Sequence, residues 1–462
     1  MAKSRGVNRM KINVDYLRSF YNGRYYPIWV ALLIFLGHAT GQEIVFGAVL
    51  LLTIIPACIL CRDLHFAVLP FLCTVFIVSA KGYSPNDTGY DRFLKPWLLI
   101  PLICIIALLL IALVYFIVHN RKLVNPFPKD HMFRGLALFC IALFLNGLFS
   151  KNYTPQNLFF AFAMSLSLIG VYILFALYYH FDEKSMDHLM YCLVISGLLI
   201  VAELIFAYFT TVQFENGEIV KGSVVLGWGV WTNIGGMLAF LMPACFYFAA
   251  SHRHGWIGFG LGLIEYFCIV LSQSRGALVV GSAVLLLCLL YLCLRGKNRN
   301  HNRIFTLVIA LGGAGVCVLF ADKMLGLVNN FLQYGFGDNG RFDLWKVGIE
   351  NFLHNPVFGS GFYDSYVNEA WDMPLYPYLY HNTVVQLLGA TGALGFLAYC
   401  YHRYCTVRHL IKNPTTGNMF LGFCILSLLA FSLLDVLFFK TYPTIFYSMM
   451  LLFSVQCNDK KQ

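Results

Sequence analysis

Long apolar runs separated by short polar breaks set the pattern of this chain. Runs near 27–40, 42–61, 64–80, 97–118, 132–150, 157–180, 186–210, 229–250, 254–272, 276–294, 303–321, 381–404, 418–437 and 441–457 predict membrane-spanning helices. The first run is short, so it either forms a hairpin with the second or fails to span. One segment departs from the pattern: 322–380 is a long polar interruption rich in Phe, Tyr and Trp. Inside it, Asp338-Asn339-Gly340 is a turn signal, and Phe342, Trp345, Ile349 and Phe352 recur at spacings of three and four. That spacing predicts an amphipathic helix over 341–353, stopped by Asn355-Pro356 and lying along an interface with its aromatic side in lipid or against the bundle.

Composition turns this pattern into a fold class. The chain has 462 residues, 59% hydrophobic and 12% charged, with mean hydropathy +0.70. A soluble protein of this length has no interior large enough for that apolar surface. The expectation is an all-α polytopic membrane protein with about 12–14 transmembrane helices and one large extracytoplasmic loop. Charge then orients it. With the N-terminus inside, the inner segments hold 22 of the 32 lysines and arginines, although the outer segments include the longest loop. Retention of basic loops on the cytoplasmic side places both termini there, and 81–96, 211–228, 273–275 and 322–380 outside.

The chain thus divides into a basic cytoplasmic N-terminus (1–26), a helical bundle (27–321), the extracytoplasmic loop (322–380), C-terminal helices (381–457) and a cytoplasmic tail (458–462). The net charge of +10 is largely this topology signal, so nucleic acid is not implied as a partner. The fifteen cysteines lie in or beside apolar runs and read as small packing residues. The basic N-terminus leads into apolar helices without a small-residue cleavage site. No repeat and no low-complexity tract is visible.

Three residues at polar breaks can carry chemistry. Arg275, in Ser272-Gln273-Ser274-Arg275-Gly276, lies between apolar runs too close for a true loop. It reads either as an arginine snorkelling to headgroups or as an anion ligand whose guanidinium grips phosphate through two parallel hydrogen bonds. Arg341 opens the amphipathic helix, where a cation opposes the helix dipole unless an anion binds both it and the free N–H groups. Trp345, four residues on, could stack on it; the plain alternative is a solvated loop arginine. His381, followed by Asn382, opens a span at the interface. It reads as a base for a sugar hydroxyl or as a histidine hydrogen-bonded at a helix start. Gly389, Gly392 and Gly395 follow at spacings of three and would allow close approach of a neighbour, fixing the depth of His381.

Other groups weigh less. Glu203 and Glu265 lie within spans and could relay protons, though satisfied buried carboxyls are commoner. Cys400, His402, Cys405 and His409 have ligand-like spacing but sit at the far end of a helix. There is no Asp-x-Asp and no P-loop, so metal- or nucleotide-dependent transfer has no support and no cofactor is expected.

Taken in order, Ser274-Arg275-Gly276, Arg341…Trp345 continued by Pro356…Gly359-Ser360-Gly361, and His381-Asn382 followed after nine residues by Gly392 and then Gly395, resemble the bacterial O-antigen ligase and polymerase superfamily. The last motif fits the ligases' His-Asn-x9-Gly-x-x-Gly pattern in full; the detailed match covers roughly 220–400. The resemblance implies a multi-span type C glycosyltransferase that needs no metal. Its donor would be a glycan on undecaprenyl diphosphate, its acceptor a glycan or lipid, and its setting the membrane lipids at the outer face. It also implies that Arg275 and Arg341 bind the diphosphate, that His381 helps activate the acceptor, and that Trp345, Asn382, Gly392 and Gly395 support them. The fourteen candidate runs exceed the family's roughly twelve, and the extra N-terminal pair has no assignable role. The competing class is a transporter or flippase of lipid-linked glycans, with the arginines as a headgroup track and Glu203 or Glu265 as coupling groups.

Overall fold

The computed structural model describes residues 14–78, 96–120, 131–182, 184–215, 217–295, 298–319, 340–362 and 380–457. The segment 81–95, most of the 322–380 loop, the first half of the 1–26 segment and the 458–462 tail lie outside the described residues.

Helices appear where the apolar runs predict them. In chain order they are α1 (Tyr25–Thr40), α2 (Glu43–Leu60), α3 (Leu64–Leu72), α4 (Pro96–His119), α5 (His131–Phe149), α6 (Pro155–Tyr178) and α7 (Ser185–Thr210). They continue with α8 (Trp231–Ser251), α9 (Gly255–Leu271), α10 (Arg275–Leu294), α11 (Arg299–Leu319), α12 (Arg341–His354), α13 (Thr383–Lys412), α14 (Thr416–Phe431) and α15 (Thr441–Gln456). Among the described residues, seven helices are long and apolar enough to cross a membrane, with shorter apolar helices such as α1, α9 and α14 beside them. The protein is an all-α polytopic membrane protein. Among the described residues, strand is confined to two hairpins between α7 and α8, where β1 (Phe214–Glu215) pairs with β2 (Glu218–Ile219) and β3 (Val225–Leu226) with β4 (Gly229–Val230).

Local chemistry sets several boundaries. Thr154 caps α6 by accepting from the Asn157 N–H at 3.2 Å, and Pro155 occupies the first helical position, where its missing N–H costs nothing. Gly41, at φ 69°, turns α1 into α2, so the first two runs do form a hairpin.

Three predicted spans are corrected. The run 64–80 is regular helix only to Leu72; after Pro70 it passes through a turn into a short 3₁₀ segment, Val75–Ile77. The run 381–404 is not one rod: α13 widens to a π-helical stretch at Leu387–Thr391, breaks at Gly392 and then continues to Lys412. The run 418–437 ends early, because α14 stops at Phe431 and residues 432–436 form a turn. Apolar length alone does not reveal such breaks, since the residues in them are as hydrophobic as those around them.

The bundle is centred on α8, whose apolar stretch is almost wholly inside, whereas α2 and α10 turn most of theirs outward, as lipid-facing helices do. Close approach to α8 depends on missing side chains. A Cβ on Gly236 would fall 2.5 Å from the Phe431 ring, and one on Gly235 within 3.0 Å of Ser272, Ser274 and Ala277. These contacts draw the start of α10 and the end of α14 against the same turn of α8.

Candidate functional site

The turn after α14 is the hub of the site. Asp435 accepts a hydrogen bond from the His381 ring, Nδ1 to Oδ1 at 2.9 Å. The same turn fixes the backbone on either side of that histidine. Asn382 Nδ2 donates to the Leu433 carbonyl at 3.0 Å, and the Thr383 N–H and hydroxyl both donate to the Ser432 carbonyl at 2.8 and 2.9 Å. Asn382 is also the cap of α13, its Oδ1 accepting from the Val384 and Val385 N–H groups. His381 therefore sits just outside the helix it was expected to open.

His381 adopts φ 52°, a left-handed conformation unusual for a side-chain-bearing residue. Among the described residues the other such case is Gln273, at φ 59°, two residues before Arg275. Strain of this kind costs about 1–3 kcal/mol and persists where the surroundings over-determine it. Here it flanks both predicted site residues.

Electrostatics favour the ionised carboxylate. Burial alone would raise the Asp435 carboxyl. The His381 hydrogen bond and charge, with Lys440 and the Val436 N–H, overcome that and hold it at about 2. Burial lowers the Lys440 ammonium, and Asp435 partly restores it. With Asp435 ionised, Nδ1 of His381 is the donor.

Arg275 reaches the same hub from the other side. It is the first residue of α10, whose cap is Ser274, accepting from the Ala277 N–H at 3.3 Å. Gly276, next in sequence, lies against Leu434: a Cβ there would be 3.4 Å from that side chain, one residue from Asp435. Arg275 and His381 thus stand at one end of the bundle, on two faces of a single turn.

Arg341 is the first residue of α12, as the pattern predicts, and α12 ends at His354 against Asn355. The helix docks on the widened part of α13. Gly348 meets Val385 and Tyr380, the Gly348 carbonyl lies against Gly389, and Asn351 Nδ2 donates to the Tyr380 hydroxyl at 2.8 Å. Phe342 and Leu353 remain exposed on the far side, at 61% and 69%. The expected stack of Trp345 on Arg341 is not formed. Trp345 instead meets Phe342 edge-on at 5.2 Å, because its side of the helix turns toward the bundle.

The glycines act differently from one another. Gly389 permits close approach, as expected. Gly392, at φ 66° and ψ −166°, makes the break in α13, and a Cβ there would lie 2.5 Å from the Val357 carbonyl. The 355–361 segment fills the break. Ser360 and Gly361 N–H groups donate to the Gly389 and Ala390 carbonyls, and the Ala393 N–H donates to Pro356. Asn146 of α5 donates to both Ala390 and Phe358 carbonyls, clamping the two segments together. Gly395 leaves room for the Thr391 side chain.

Four residues of the site were not singled out from sequence. Asp435 and Lys440 are the lone acid and lone base of the apolar stretch 416–457, a signal that could have found them. Lys221 lies in the α7–α8 loop. Burial lowers its ammonium, and Arg275 and then Arg341 lower it further. Nothing in the spacing of Lys221 or Asn146 marks either one.

The lesser candidates lie elsewhere. Glu203 accepts from Trp228 Nε1 at 3.3 Å and lies 3.9 Å from His38. Glu265 accepts from Cys245 at 3.3 Å and packs on Gly197. His402 bonds the Tyr447 hydroxyl and His409 the Ser454 carbonyl, while Cys400 is exposed, so the ligand-like run points to separate neighbours.

Residues 237–400, which include Arg275, Arg341, His381, Gly392 and Gly395, match the model of the O-antigen ligase family. The exopolysaccharide production protein ExoQ of Rhizobium meliloti (strain 1021) is 28% identical over 190 residues, covering 37% of this chain and 41% of that protein. The match thus spans less than half the length of that curated relative. Both comparisons support a likeness to the O-antigen ligase superfamily, and the family match covers the segment that builds this site.

Proposed function

We propose that this protein is a membrane glycosyltransferase of cell-surface polysaccharide biosynthesis. It moves or polymerises a glycan from an undecaprenyl-diphosphate donor onto a glycan or lipid acceptor. The observation that carries the reading is the turn Ser432–Asp435, which hydrogen-bonds His381 on one side and packs Gly276, beside Arg275, on the other. In this reading His381 Nε2 takes the acceptor proton while Asp435 holds the ring and stabilises the imidazolium. The acceptor oxygen bonds to the sugar C1 as the C1–O bond to phosphate breaks, and the electron pair leaves on the diphosphate. Arg275 and Arg341 grip the two phosphates of the donor, so the reading calls for no metal. The reaction lies at the outer face of the cytoplasmic membrane, where charge asymmetry puts these segments and where a prenyl tail can stay in lipid.

The test is transfer by purified protein in vesicles from a prenyl-diphosphate-linked glycan, read as product chain length and free prenyl diphosphate. His381→Ala should lose transfer by about 10²-fold or more while keeping its fold. Full activity in that variant, or activity that requires an ion gradient, would instead favour transport.

A further inference from the structure

The α7–α8 loop brings a third cation to the two arginines. Its frame is built by hydrogen bonds: the Gln213 N–H donates to Ser223 Oγ at 2.8 Å and the Val220 N–H to the Gln213 carbonyl at 2.9 Å, which sets the single 3₁₀ turn Lys221–Ser223. Both ends of the loop are tied to the segment leading into Arg275. At one end the Tyr208 hydroxyl donates to the Leu271 carbonyl. At the other, Trp231 starts α8 one turn before Gly235, the residue against which Ser272, Ser274 and Ala277 pack. The Lys221 ammonium lies 5.4 Å from the centre of the Trp231 ring. An aromatic face steadies a cation without neutralising it. The loop's own acids, Glu215 and Glu218, stand opposite each other in the first hairpin, and Lys221 makes no ion pair among the described residues.

The Lys221 loop is therefore packed on the segment that carries Arg275, and Arg341 is near enough to add to the repulsion on the Lys221 ammonium. That arrangement is unfavourable by itself and suits a polyanion. The charge on the proposed reactants distinguishes their roles. A glycosyl prenyl diphosphate carries two negative charges, one on each phosphate. When the C1–O bond breaks, the former bridging oxygen keeps the electron pair, and the prenyl diphosphate gains a third charge. The acceptor hydroxyl supplies the proton that His381 takes, so atoms and charge balance.

We infer that Lys221 is a catalytic residue that pairs with the charge appearing on the leaving diphosphate, while Arg275 and Arg341 hold the charge already on the donor. This rests on the glycosyltransferase reading above. A cation matched to the product side acts on turnover more than on donor binding. Burial and then the two guanidinium groups lower the Lys221 ammonium.

The test uses the full-length protein in vesicles with a prenyl-diphosphate-linked glycan as donor and free prenyl diphosphate as product inhibitor. Lys221→Gln should lower kcat by about 10²-fold with donor KM changed far less. It should also weaken inhibition by prenyl diphosphate more than it weakens donor binding. Lys221→Arg should restore turnover. It should also move the alkaline limb of kcat/KM, which reports the free enzyme, to higher pH, because the guanidinium stays charged where the lowered ammonium does not. A merely structural lysine would leave that limb in place. Lys221→Gln with wild-type kcat and product inhibition, or an alkaline limb unmoved by Lys221→Arg, overturns the assignment while leaving the transferase reading intact. Wild-type protein that releases no prenyl diphosphate from the donor overturns both.

Discussion

Two of the histidine–carboxylate pairs among the described residues, His381–Asp435 and His38–Glu203, differ in nearly every physical respect. His381 and Asp435 are 2.9 Å apart, with side chains 40% and 15% exposed, on a turn beside Arg275. His38 and Glu203 are 3.9 Å apart, at 1% and 0%, between α1 and α7. The first pair is short, directed and partly open to solvent. The second is sealed between helices and joined by Trp228, whose ring meets Phe76 edge-on. Proton chemistry needs access as well as a partner. A pair buried this fully instead fixes how helices pack, and here it ties the N-terminal hairpin to the bundle.

The largest effect should come from cutting the orienting bond of the open pair. Asp435→Asn keeps the shape but loses the charge that favours the imidazolium, and turnover should fall by about 10²–10⁴-fold with the protein still folded. Near-normal turnover in that variant would reduce the open pair to the status of the sealed one. A second variant tests the support beneath His381. Gly392→Ala puts a Cβ within 2.5 Å of the Val357 carbonyl at a backbone conformation that side-chain-bearing residues avoid. The expected cost is about 1–3 kcal/mol, seen as a lower unfolding midpoint in detergent; an unchanged midpoint would show that the break does not depend on glycine. The smallest effect belongs to the sealed pair. Glu203→Gln keeps an acceptor for Trp228, and transfer should change by no more than about threefold, under 1 kcal/mol. Loss of activity there, together with dependence on a proton gradient, would make the sealed pair the working one.

The same contrast explains what could be read in the chain. Arg275, Arg341 and His381 each stand at a polar break in an apolar pattern, so spacing and residue type marked them. Asp435 escaped because its surroundings are as apolar as a span, and a hydropathy run cannot show that α14 stops at Phe431. The notion that Trp345 stacks on Arg341 followed from helical spacing, but spacing does not say which side of α12 docks on α13. Gly348, the smallest residue on that helix, decides it by seating against Tyr380 and Val385.

Sequence by itself determined that the chain crosses a membrane as helices, because 59% hydrophobic residues in long runs leave no other way to satisfy the backbone. It also determined where those helices yield to polar segments able to carry charge. Tertiary structure alone decided that Lys221, Arg275, Arg341, His381 and Asp435 share one end of the bundle. Their meeting depends on packing between segments far apart in the chain: Gly276 on Leu434, Gly348 on Tyr380, and the break at Gly392 filled by 355–361. Contacts of that kind have no period along a sequence. They exist only once the helices are in place.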